Sequence, residues 1–151
     1  MHAVERLQAH IDISNLLARY TYAIDGGDFA AQAALFEHAV VVAGGRERRG
    51  AAAFRAMEES FVRIYEDGTP RTKHLLSNLV IDVAPSGTTG QSRCYVVVLQ
   101  ATDQLPLQPI CAGRYEDQFE RVDDVWRFSR REMHINLVGD FSAHLLKPAD
   151  G

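Results

Sequence analysis

Apolar residues recur every three to five positions from Val4 to Ile24, at Val4, Leu7, Ile11, Leu16, Tyr20 and Ile24, with Glu5, Arg6, Gln8, Asp12 and Arg19 between them. That period predicts an amphipathic helix. The alanine-rich run 29–36 predicts a short second helix. Asp28, just before it, has the side chain of an N-cap, able to accept from free backbone N–H groups. Residues 39–43 read as a first strand ended by Gly44 and Gly45, residues 46–50 as a solvated loop, and residues 51–65 as a third helix with Phe54, Met57, Phe61 and Ile64 inside. Beyond Asp67, Gly68 and Pro70 the pattern changes. Runs 71–84, 91–102, 109–121 and 125–137 are rich in Val, Ile, Tyr, Phe and Thr, and their short connections predict antiparallel pairing.

Helices first and a meander afterwards define an α+β class, with N-terminal helices packed on a strongly curved, mainly antiparallel sheet. Strands longer than the usual five or six residues must twist and curl. A curled sheet closed on its concave side by helices makes a cone-shaped α+β barrel around a pocket. The length suits one core, so residues 1–151 are read as a single domain, with residues 147–151 as a loose tail.

Charge narrows the possible partners. A net charge of −4 and a pI near 5.8 leave no basic face for nucleic acid. The basic cluster Arg46, Arg48 and Arg49 is interrupted by Glu47. No apolar run reaches the roughly 18 residues of a membrane span. The first residues lack the charged and apolar regions of a secretory signal, which predicts a cytoplasmic protein. Cys94 and Cys111 form no CxxC pair and are expected to be reduced and buried in strands.

Asp25 is the residue that local structure does not explain. It closes the first helix just before Gly26 and Gly27, where the helix dipole disfavours another negative charge by about 0.3–1 kcal/mol. A cation or proton donor elsewhere is its expected partner, and His74 is the candidate. His74 lies near the start of a strand, where alternation gives it one face with Leu76, Asn78 and Val80. A histidine so placed is either a satisfied core residue or a general acid/base tuned by a carboxylate. Tyr22 is the nearer neighbour of Asp25 on a regular helix, but Tyr20 belongs to the apolar stripe and is favoured for the pocket. Tyr115, Asp117 and Phe119 share a face, Asp117 being expected to pair with an arginine on the next strand. Trp126, Phe128, Arg130, Glu132 and His134 share another, which brings His134 toward the same cavity. Metal ligation finds no support, because the six histidines are scattered. HExxH, GxSxG and Walker A motifs are also missing.

These residues, in order, resemble a known pattern. Tyr20, Asp25, Asp28-Phe29 and Leu35-Phe36, then Thr72-Lys73-His74 and Asn78, then Gly113-Arg114-Tyr115 with Asp117 and Phe119, then Val125-Trp126-Arg127-Phe128 resemble the SnoaL-like branch of the nuclear transport factor 2-like superfamily. The family contains scytalone dehydratase, bile-acid 7α-dehydratase and polyketide cyclase relatives. The resemblance implies a lyase or isomerase that needs no cofactor or metal. It would carry out dehydratase-type elimination, isomerisation or cyclisation on an apolar cyclic substrate. His74, Asp25 and Tyr20 would be catalytic, and Tyr22, Asn78, Tyr115, Phe119 and His134 would bind substrate. The second pocket histidine of scytalone dehydratase would fall near Cys111 or Ala112, so that specific chemistry is not implied. The superfamily also contains the small subunits of ring-hydroxylating dioxygenases, so a non-catalytic binding or assembly subunit is the alternative. The run 95–99, apolar on both faces, predicts a homodimer, with a trimer as the other possibility. Whether residues 141–146 cap the pocket is open at this stage.

Overall fold

The computed structural model of the chain describes residues 1–147. The remainder of the expected tail, 148–151, lies outside the described residues. Three helices precede the long strands: α1 (Ala3–Asp25), α2 (Phe29–Ala34) and α3 (Gly50–Phe61). Between α2 and α3 a short hairpin of β1 (Val40–Ala43) and β2 (Arg46–Arg49) turns on Gly44 and Gly45, both at positive φ. Then follow β3 (Thr72–Val83), β4 (Thr89–Gln100), β5 (Gln108–Val122) and β6 (Val125–Val138). The six strands form one sheet in the order β2-β1-β6-β5-β4-β3, antiparallel throughout except for the parallel pair β1 and β6. This is the α+β architecture expected, with the sheet open between β2 and β3. Among the described residues no helix is long and apolar enough to cross a membrane.

Three local expectations are corrected. Residues 46–49 are strand β2, paired in register with β1, and not a loop. The third helix stops at Phe61, because Val62 leaves helical geometry (ψ 127°) and bridges to Leu145, so Ile64 is exposed outside it. In α1 the early stripe faces solvent: Val4, Leu7 and Ile11 are exposed, and the buried positions are Ala9, Ile13, Leu16, Leu17, Tyr20, Thr21 and Ile24. Residues 3–8 are all exposed and burial along the helix begins at Ala9.

Of the four register shifts in the sheet, two bear on the expected site residues. In β3 the register shifts between Ser77 and Val80, with Asn78 at φ 54°. In β6 it shifts where Gln118 and Phe119 pair with Arg130 and Phe128, so Ser129 is the extra residue. An extra residue reverses the inside–outside alternation beyond it. Trp126 and Phe128 therefore point inward, but so do Arg131 and Met133.

The corner between α1 and α2 is tightly built. Gly27 N–H donates to the Ile24 carbonyl and Asp28 N–H to that of Ala23, and the Asp28 carboxylate caps α2 through Ala31 N–H (2.9 Å). Gly27 has φ +73°, and a Cβ there would stand 2.0 Å from the Gly68 carbonyl oxygen. Gly27→Ala is therefore expected to lower stability by at least about 1 kcal/mol, read as a shifted urea midpoint. An unchanged midpoint would show that the corner relaxes freely.

Candidate active site

Asp25, at the end of α1, meets the first residues of the edge strand β3. Its carboxylate accepts from the Thr72 hydroxyl (2.8 Å to Oδ1) and the His74 backbone N–H (2.8 Å to Oδ2), and lies 2.7 Å from His74 Nδ1. Both side chains are about nine-tenths buried. Burial alone would raise the Asp25 carboxyl, but the His74 and Thr72 hydrogen bonds outweigh it and hold the group below its ordinary value. With the carboxylate accepting from Nδ1–H, a neutral imidazole keeps its lone pair on Nε2. That arrangement can accept a proton at Nε2 while the carboxylate fixes the ring.

His74 lines a cavity of about 450 Å³. Its walls are largely apolar, with Ile24, Met57, Phe61, Val98, Met133 and Ile135 among them. The space is not filled by the protein's own side chains. Tyr20 and Tyr115 contribute the aromatic wall, packed edge to face with centroids 5.8 Å apart. Burial pushes the Tyr20 phenol up to about 12, so it is a hydrogen-bond donor at neutral pH.

Behind these rings sits Arg131, fully buried and bonded bidentately to Asp117 (2.7 and 2.9 Å). This is the cross-strand pair expected of Asp117. The guanidinium stacks 4.2 Å from the Tyr20 ring centroid and 4.3 Å from that of Tyr115. Cation–π contact and a fully paired carboxylate are what make a buried charge tolerable.

Two titratable wall residues were not singled out from the sequence. His144 comes from the segment after β6, which crosses the end of α3: Arg63 N–H donates to the His144 carbonyl, Leu146 N–H to the Phe61 carbonyl, and the Gln100 amide to the Ala143 carbonyl. Phe141, His144 and Leu145 thereby line the cavity. Burial, with the nearby His74, pushes the His144 imidazole down to about 4, so it is neutral. Glu58 lies on the inner face of α3, and burial pushes its carboxyl up from 4.5 to about 7, against the lowering influence of Gln32 and Arg48. A charged residue four positions after Phe54 on the inner stripe was the available signal. For His144, the histidine inside the apolar run Phe141 to Leu146 was the corresponding one.

Among the residues expected at the site, Tyr20, Asp25, His74 and Tyr115 converge, and four do not. Tyr22 is 81% exposed on the outer side of α1. Asn78 sits on the β3 bulge and faces solvent. Phe119 is buried in the core against Phe128 (4.9 Å) and does not reach the cavity wall. His134 is turned to the outer face by the β6 bulge, where Nε2 stands 3.4 Å from Glu132 and 3.6 Å from Glu116. Among the described residues that trio is close enough to share a cation, but its carboxylates are already bonded to Arg130 and Arg114.

The fold and motifs together define the class. The chain belongs to the SnoaL-like family, whose domain model matches residues 5–132. An aspartate-to-asparagine variant of Rv3472, a Mycobacterium tuberculosis protein of unknown function, superposes with a TM-score of 0.73 at 26% identity, over 90% of this chain and 77% of that one. A Novosphingobium aromaticivorans protein provisionally called a scytalone dehydratase gives 0.69 and 26%, over 93% and 98%. LinA gives 0.73 and 21%, over 98% and 100%, a likeness of fold. No curated protein sequence matches significantly.

Glu58 holds its proton in the folded protein at pH values where the unfolded chain has lost it, so stability falls as pH rises from about 4.5 to about 7. Glu58→Gln removes this titration. Its stability relative to the native protein is expected to grow by about 2–3 kcal/mol between pH 5 and 8. A difference that does not change with pH in urea unfolding would place Glu58 in an ordinary environment.

Proposed function

We propose that this protein is a small-molecule lyase or isomerase that acts on an apolar cyclic substrate by proton abstraction, with no cofactor. The observation that carries this reading is the 2.7 Å contact between Asp25 and His74 Nδ1 at the wall of a largely apolar cavity. His74 Nε2 removes a proton from a carbon next to a carbonyl. Asp25 holds the ring and stabilises the imidazolium that forms. Tyr20, a neutral phenol, donates to the substrate oxygen on which charge develops. In an elimination, the electron pair of the broken C–H bond forms the double bond, the neighbouring hydroxyl leaves, and the imidazolium proton completes a water molecule. In an isomerisation the same proton returns to a different carbon. The open cavity supports this reading over an assembly subunit whose interior is filled.

The reading includes a homodimer packed through the outer face of the sheet, where Leu75, Tyr95 and Leu137 are exposed. It also includes a cytoplasmic location, in which the free thiols Cys94 and Cys111 stay reduced.

Proton abstraction is measurable before the substrate is known. In deuterated water the protein is expected to catalyse α-hydrogen exchange of 1-tetralone, followed by NMR. His74→Ala should lower the rate by about two to four powers of ten, and Asp25→Asn should lower it too, with circular dichroism unchanged in both. Exchange that persists in His74→Ala rules out His74 as the base.

A further inference from the structure

Strand β2 supplies the cavity with two cations. Alternation on Arg46–Arg49 sends Glu47 and Arg49 to the outer face, where Glu47 pairs with Arg49 (3.2 Å) and Arg130 (3.6 Å). Arg46 and Arg48 point the other way, opposite Ala43 and the fully buried Val41, and both line the cavity. Among the described residues neither has a carboxylate within ion-pair distance, and Arg48 donates only to the Arg46 carbonyl (3.2 Å). Glu58 is the cavity acid that feels Arg48, and burial keeps it largely uncharged below pH 7. Two guanidinium groups, two residues apart on one strand face, Arg46 exposed and Arg48 half-buried, thus stand where a mostly apolar cavity meets solvent, with no carboxylate paired to them among the described residues. β2 and β3 are opposite edges of the sheet, so the two arginines and His74 reach the same cavity from different strands.

We propose that Arg46 and Arg48 form an anion-binding subsite, and that the ligand is an apolar ring system carrying a carboxylate or a phosphate. This rests on the cavity being a substrate site, and adds that the ring enters with its anionic end toward β2 and its reacting carbon toward His74. Guanidinium forks match both anions bidentately, and the apolar wall beyond them seats the ring.

Binding of 2-naphthoate, 2-naphthyl phosphate and neutral 2-naphthamide, measured by calorimetry, tests this. One or both anions should bind at least about tenfold more tightly than the amide, the range of a charge-assisted hydrogen bond. The stronger of the two distinguishes carboxylate from phosphate. The double variant Arg46→Gln, Arg48→Gln should lose that preference and bind the amide as before, its fold checked by circular dichroism. Equal binding of all three compounds, failure of both anions to bind, or a preference that survives in the double variant overturns the proposal. His74→Ala should lose proton exchange yet keep the anion preference, so this subsite and the proposed chemistry fail separately.

Discussion

One carboxylate joins the helical layer to the edge of the sheet. Asp25 stands at a helix C-terminus, where its charge is unfavourable, yet three donors from two residues of β3 converge on it. Hydrogen bonds to a charged group are worth roughly 1.5–3 kcal/mol each, enough to outweigh the dipole. The same bonds set the imidazole of His74. The fold and the proposed base are thus held by a single group, and the orientation of the ring is inherited from the docking of α1 on β3. A change that loosens the corner at Gly27 would also disturb His74.

Arg131 does for the deeper wall what Asp25 does for the rim. It is a full charge inside the core, and its partner Asp117 satisfies only one edge of it, since Nη1 has no partner among the described residues. The faces of Tyr20 and Tyr115 supply the remaining stabilisation and are held in place in return. Removing either member of the pair strands a buried charge, while the intact set makes a rigid aromatic wall. Rigidity there keeps the Tyr20 phenol in one place.

Most of the architecture was legible in the sequence, because long segments with a clear period leave little choice. The change from a helical period to alternation around Arg71 and the isolated Asp25 both survive into the structure. The failures share a cause: alternation is a local rule, and one inserted residue inverts it. Asn78 and His134 were drawn toward the pocket by counting in twos past positions where the strands bulge. Tyr22 was drawn in by helical proximity to Asp25, although the helix turns it to solvent. Phe119 was placed on the correct side of the sheet, but depth within a core is not written in a period. Arg46 and Arg48 looked like a solvated turn because four residues carry too little pattern to declare a strand. Glu58 and His144 lay in plain sight. Their importance comes from burial by distant parts of the chain, which no local window contains.

The cavity takes one side from the segment Phe141–Leu145, a strap laid over the end of α3 by backbone hydrogen bonds to Phe61 and Arg63. All other wall residues precede it in the chain. The helices and the sheet supply the aromatic wall and the Asp25–His74 pair, while the strap is placed by its bonds to the end of α3 and to Gln100. One wall of the hollow is therefore only as well placed as the last turn of α3, and a shift there would reshape the space a ligand meets without moving His74.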